Sequence, residues 1–319
     1  MLKVPKFILI SDIHFSLQTL ELASTALTEA FETARKLNIP LIIAGDLNDS
    51  KAIIRGEVAN RLIRIFQEYR MVRSYTIIGN HDLLNEKGFE NSLHFLKPYT
   101  LLVETMAYLE DLDIYLLPYQ NNKEELEKAL SILPLYTTVI MHQGFNGAWM
   151  GDYIQDRTSI SVDLVKRFSV FSGHYHRHQT IGTVTYIGSP YTITFGEAND
   201  GPKGFLVVNH DGSFEQVELH LRRHYIIEAT TTDTFPHGDT GENLFWYKIK
   251  GTREELKKLQ LPTNAKVELI PTDEEIIQPI AINKTSEEVL DLIIDLKFVS
   301  SKEYATSLKI LWKDVVECV

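Results

Sequence analysis

The sequence holds a single cysteine, Cys318. One cysteine permits no internal disulfide and no thiolate metal cluster. Any metal must then be held by oxygen and imidazole nitrogen. Long apolar runs are also missing: no stretch approaches the roughly 18 residues of a membrane-spanning helix. Basic charge is in deficit, with 32 Lys and Arg against 43 Asp and Glu and a net charge of −11. That excludes a nucleic-acid binder held mainly by global charge. Contact with DNA would need metal ions, local basic patches or a partner. The opening segment MLKVPKFILIS lacks a small-residue cleavage site and meets Asp12 and His14 at once. It reads as a buried strand, not an export signal, and a cytoplasmic location is expected.

What is present suits a soluble globular chain. The 319 residues suggest two domains, and 44% hydrophobic content can fill a sizeable core. Apolar runs at 6–11, 40–46, 74–82, 113–119, 137–143 and 168–174 read as buried strands. Between them, 19–37 has a helical face of Leu20, Ala23, Leu27, Ala30, Phe31 and Ala34. A second helix is expected over 51–70, facing inward with Ile54, Val58, Leu62, Ile65, Phe66 and Tyr69. Strands alternating with helices predict an α/β layer fold. From about 183, strand runs joined by Gly, Pro and Asp-Gly turns predict an antiparallel continuation. Residues 229–243 read as a linker, followed by a small strand–helix–strand unit and a helical tail. The expected division is a core over 1–224, a small α/β cap over 225–285 and a tail over 286–319.

Most polar exceptions in the apolar runs stand at strand ends. Asp12 and His14 follow the first strand, Asp46 the second, and Asn80, His81 and Asp82 the third. His142 ends a later strand, and His174 and His176 follow the next. In open α/β sheets, ligands bind beyond the carboxyl ends of strands. Carboxylate, carboxamide and imidazole together favour Mn²⁺, Fe²⁺ or Zn²⁺. A carboxylate such as Asp46 can bridge two ions, an arrangement that activates water and neutralises phosphate. Each block alone has a plain explanation as a capped turn or a core histidine. Their conjunction, each block at a strand end, is what points to a two-metal site.

These blocks resemble the calcineurin-like metallophosphoesterases, with their layered β-sandwich core flanked by helices. The matching segments are Asp12-Ile13-His14, Gly45-Asp46, Gly79-Asn80-His81-Asp82, Met141-His142 and Gly173-His174-Tyr175-His176. The resemblance implies one metal on Asp12, His14, Asp46 and His176, and another on Asp46, Asn80, His142 and His174. It implies that His81 contacts the scissile phosphate and assists the leaving oxygen. Asp49 is then either the carboxylate that orients His81 or the N-cap of the next helix. Within the superfamily the chain is similar to the SbcD type, in its short phage-like form. The features are Gln143 after His142, Tyr186 to Tyr191, Phe195-Gly196-Glu197 and Lys203-Gly204-Phe205, then a cap and a helical tail. Asn48 departs from the family, which more often has an apolar residue there.

The SbcD resemblance implies a Mn²⁺-dependent DNA nuclease: a 3′ to 5′ exonuclease on duplex ends and an endonuclease on single strands. It also implies an SbcC-type ATPase partner, a homodimer, and a bacterial or phage-infected host cytoplasm. A phosphoesterase on small substrates shares every ligand and is the alternative, followed by a non-catalytic scaffold. The 51–73 segment carries six basic residues against Glu57 and Glu68, a local +4. It is either a phosphate-contacting helix or an ordinary solvated face. Arg177 and Tyr191 are further substrate-binding candidates, and Tyr175 and Tyr191 either stack on bases or fill the core. The tail faces, Val289 to Ile294 and Tyr304 to Val319, either pack on the cap or dock to the ATPase.

Overall fold

A computed structural model of the chain describes residues 3–85, 90–152, 154–233, 243–261 and 265–273. The expected tail over 286–319, and most of the expected linker, lie outside the described residues. The chain divides into two units, residues 1–270 and 271–319. No helix among the described residues is long and apolar enough to cross a membrane.

Two six-stranded sheets form the centre of the first unit. In the first sheet, β1 (Pro5–Ile10), β2 (Leu41–Ala44), β3 (Ser74–Ile77) and β4 (Leu101–Val103) run parallel. The helices α1 (Leu20–Leu37) and α2 (Gly56–Glu68) supply the first two crossovers. The second sheet holds β5 (Ala107–Leu109), β6 (Ile114–Leu117), β7 (Thr138–His142), β8 (Ser169–Gly173), β9 (Gln179–Ile181) and β10 (Val184–Tyr186). Here β6, β7, β8 and β10 are parallel, with α3 (Lys123–Ser131) between β6 and β7. The chain then returns to the first sheet as β11 (Gly204–Asn209), antiparallel to β1, and β12 (Phe214–Glu218). The antiparallel continuation expected after 183 is present from its first run, since β10 pairs antiparallel with β9 while lying parallel to β8, and it goes on in the first sheet as β11 and β12.

Burial on both faces explains the near-continuous apolar strands. Phe7 and Leu9 of β1 join Ile42, Ile140 and Phe171 in a core between the sheets. Their neighbours Ile8 and Ile10 turn the other way, toward Leu27 and Phe31 of α1 and Leu62 and Phe66 of α2. On the far side, Val139, Met141 and Val170 pack with Leu126 and Leu130 of α3. The result is a helix–sheet–sheet–helix stack. Helix α1 stops at Asn38, whose φ of 54° is the left-handed turn that asparagine tolerates.

The second helix is shorter than expected. It starts at Gly56, because the buried Asn48 amide donates to the Ser50 and Ile53 carbonyls and commits them to a loop. Lys51 and Arg55 therefore precede the helix, and Arg70 and Arg73 follow it. Arg61 is spent on Glu21, at 2.7 Å. The basic stretch is thus no continuous helical face. Beyond the sandwich, β13 (His224–Thr230), β14 (Leu244–Gly251) and β15 (Lys266–Pro271) form a three-stranded sheet with α4 (Arg253–Lys258). A capping box of Thr252 and Glu255 starts α4.

Phe31, 1% exposed, stacks on Tyr69 and meets Phe66 edge-on. A Phe31→Ala variant is expected to lose about 3–5 kcal/mol of stability, read as a lower urea midpoint at unchanged slope.

Candidate metal centre

The parallel strands of both sheets end at one edge, and there the backbone leaves ordinary strand geometry. Asp12, His14, Asp46 and His174 have φ of 52°, 52°, 51° and 94°. Such left-handed conformations cost roughly 1–3 kcal/mol each in non-glycine residues and persist only where the surroundings impose them. The surroundings are visible. Past the ends of β1 and β2 the main chains stay zipped, with Asp12 N–H donating to Gly45 O, His14 N–H to Asp46 O and Phe15 N–H to Leu47 O. The glycines are steric necessities. A Cβ on Gly45 would lie 2.2 Å from His142 Nδ1, and one on Gly79 would lie 2.2 Å from Asp46 Oδ1. The Gly-Asp and Gly-Asn-His-Asp blocks thus record close approach of main chain to ligand side chains.

Two groups of metal-ligating type form among the described residues: Asp12, His14 and His176, and Asp46, His142 and His174. Asn80 joins the second, its Oδ1 lying 3.0 Å from His142 Nε2 and 2.8 Å from His174 Nδ1. Asp46 stands between them. Its Oδ2 is 3.2 Å from His142 Nε2 and 3.9 Å from His14 Nε2, while its Oδ1 accepts the His81 main-chain N–H. All seven expected ligands therefore meet at one edge.

The donor set fits cations. His142 Nδ1 donates to the Ala44 carbonyl at 2.8 Å, which leaves Nε2 of the neutral ring a lone pair. That lone pair faces Asp46 Oδ2 and Asn80 Oδ1, both acceptors. Three acceptors converge, and only a proton or a cation can satisfy them. Burial opposes charge on His142, yet the Asp46 carboxylate pushes its pKa up to about 9. Burial, and then His142, push His174 down to about 4, which keeps its ring neutral and able to serve as a ligand. Similarly, His14 Nε2 and His176 Nε2 confront each other at 3.1 Å.

His81 stands beside this centre, its ring centroid 4.9 Å from that of His14. Its Nδ1 is 2.6 Å from the main-chain oxygen of Asp49. A carbonyl only accepts, so Nδ1 carries the proton. This corrects the expectation that the Asp49 carboxylate orients His81. The carboxylate turns instead to His14, with Oδ1 3.4 Å from Nδ1. Nor does Asp49 cap α2, whose N-cap is Arg55. Asp82 is the clamp of the region: fully buried, it accepts from Gly79 N–H at 2.8 Å and Asn48 N–H at 2.9 Å. The departure at Asn48 therefore has a structural use, since its main chain meets Asp82 and its side chain holds the loop carrying Asp49.

Tyr191 is fully buried and its hydroxyl donates to the Ile13 carbonyl, so it cannot stack on a base. Tyr175 is buried too, donating to Asp156 Oδ2 at 2.5 Å. The substrate-binding expectation for Tyr191 is corrected, and for Tyr175 the structure takes the core-filling alternative, because these rings fill the core beneath the loops of the site. Arg177 is half-buried, with Nε 3.9 Å from Asp200 Oδ1. Sequence reasoning missed Glu197, whose Oε1 lies 3.0 Å from His176 Nδ1. Burial would raise the Glu197 pKa, but His176 and Lys203 hold it down at about 2. The one available signal was a pair of charged residues inside short apolar segments, Phe195-Gly196-Glu197 and Lys203-Gly204-Phe205.

Because His81 leans on a main-chain atom, Asp49→Ala is expected to leave its Nδ1–H tautomer in place. Long-range ¹⁵N–¹H NMR of the imidazole reads this; a change of tautomer would return the orienting role to the carboxylate.

Comparison with known proteins agrees with this geometry. The model of the calcineurin-like phosphoesterase family matches residues 5–178, a span containing every strand-end block. Exonuclease subunit 1 of Enterobacteria phage T4 is 27% identical over 222 residues, 62% of this chain and 62% of that protein. The chain thus spans less than two thirds of that relative. Putative phosphoesterase 244L of Invertebrate iridescent virus 6 is 24% identical over 221 residues, 64% of this chain and 76% of that protein. A solved archaeal phosphodiesterase covers 67% of this chain and 99% of its own at 14% identity, with a TM-score of 0.34, too low to bear on the fold. The family match extends over more than half of the residues, and the chain belongs to the calcineurin-like phosphoesterases, enzymes that hydrolyse phosphoesters.

Proposed function

We propose that this chain is a Mn²⁺-dependent DNA nuclease, the nuclease subunit of an SbcC–SbcD-type complex. The observation that carries the reading is Asp46 Oδ2, set between the two ligand groups, with His81 alongside. The similarity to a phage exonuclease subunit supports DNA as substrate and a second subunit as partner. Expected activities are 3′ to 5′ exonuclease on duplex ends and endonuclease on single strands.

Asp12, His14, Asp46 and His176 would hold one divalent ion, and Asp46, Asn80, His142 and His174 the other. Together the ions would supply Lewis acidity toward the phosphate and toward water. The protein's own groups do the rest. His81, with Nδ1–H on the Asp49 carbonyl, would present Nε2 to the leaving oxygen and donate the proton carried there. Water oxygen joins phosphorus, the bond from phosphorus to the leaving oxygen breaks, and the proton from Nε2 completes the new hydroxyl. One proton of the water restores His81 over the cycle. Asp82 and Asn48 keep the loops of Asp46 and Asn80 together during the reaction. Arg177, at the edge of the centre, is a candidate phosphate contact. An SbcC-type ATPase would offset the acidic net charge by adding DNA-binding surface, and a second copy of the chain would complete the homodimer.

The deciding assay incubates the protein with Mn²⁺ and end-labelled linear duplex DNA, beside a chromogenic phosphodiester. Shortening of the DNA from its 3′ ends is expected. Turnover of the small ester with intact DNA would refute the nuclease reading in favour of a small-molecule phosphoesterase. A His81→Ala variant is expected to keep both ions and lose about 10²–10⁴-fold in cleavage rate, the usual size of a general-acid contribution. Undiminished cleavage would remove His81 from the mechanism.

A further inference from the structure

Behind the first ligand group lies a charge network centred on the buried Lys203. Lys203 is 1% exposed. Desolvating an ammonium is costly unless it is paired and hydrogen-bonded. Here its Nζ reaches Asp200 Oδ2 at 2.7 Å, the His176 carbonyl at 2.8 Å, and both Glu197 Oε2 and Ser189 Oγ at 3.1 Å. With Arg177 beside Asp200, two cations face two carboxylates, and the cluster neutralises itself.

Glu197 is the member that touches the metal centre. Lys203 and the Ile193 main-chain N–H hold its Oε2, the latter at 3.2 Å. Its Oε1 is left to His176 Nδ1 at 3.0 Å. The same lysine grips the His176 carbonyl, so one ammonium fixes both the ligand's main chain and the carboxylate on its ring. From outside, the Phe195–Glu197 turn is braced by Phe195, edge-on to His224 and Trp246 of the three-stranded sheet.

A carboxylate only accepts, so it selects the Nδ1–H tautomer of His176 and leaves Nε2 as the lone pair that faces His14. We propose that Glu197, held by Lys203, is a positioning residue for the first metal site, fixing the tautomer and aim of His176. This rests on His176 being a ligand, as in the functional reading above. Outer carboxylates of this kind typically change metal affinity by about 10–100-fold when removed.

The test titrates the full chain with Mn²⁺ alone, following bound ions by calorimetry and the spin-coupled pair by electron paramagnetic resonance. Wild type is expected to take two ions. Glu197→Gln is expected to keep one and bind the other about 10–100-fold more weakly, with the coupled signal giving way to an isolated one. Its His176 ring should also lose the single Nδ1–H tautomer by ¹⁵N NMR. Glu197→Asp keeps the charge opposite Lys203 but withdraws the oxygen from Nδ1, and it decides the matter if the Gln variant does not fold. Wild-type affinity for both ions in a folded variant overturns the proposal. A wild-type chain that binds no ions overturns the metal centre itself, and with it the proposal. A chain that binds two and leaves DNA intact refutes only the nuclease reading.

Discussion

Asp46 joins the two halves of the fold. It follows β2 of the first sheet, yet Oδ2 meets His142, the last residue of β7 in the second. Beside it, the Ala44 carbonyl takes His142 Nδ1–H. Its other oxygen holds the main chain of His81. A carboxylate with 2% exposure, surrounded by imidazoles, is stable only if its charge is answered. Lone pairs of His142, His174 and Asn80 aim into the same space, so a cation held there would answer it.

Such an arrangement is costly. Four residues of the site, Asp12, His14, Asp46 and His174, sit in left-handed backbone, and several buried oxygens and nitrogens face one another. A loop in isolation would relax out of these states. Here the zipped loops after β1 and β2, the Asp82 clamp and the Lys203 network act together, and the stacked layers beneath leave no room for relaxation. Divalent cations would turn this concentration of acceptors from a liability into binding energy.

Much of this was legible in the chain. Alternating apolar runs and helical faces marked the layers, because both faces of each sheet are buried. The candidate ligand types were legible because Asp, Asn or His recurs at the end of one apolar run after another, a conjunction that capped turns and core histidines do not explain. Boundaries were less so. The start of α2 was misread because an asparagine amide, eight residues before Gly56, occupies the carbonyls of the intervening loop. Tyr191 was misread because an aromatic ring beside a motif looks the same in sequence whether it points to solvent or beneath the ligands.

The sequence by itself determined the family, the candidate ligand types and the edge of the sheets to which they belong, since strand period and strand ends are local properties. Only the tertiary structure decided which atom does what. The Asp49 carbonyl, not its carboxylate, reaches His81. Glu197, 21 residues after His176, lies behind its ring, and Lys203 holds both. These relations depend on how separate loops stack at a shared edge, and hydrogen-bond partners across such a gap follow from packing, which spacing along the chain does not encode.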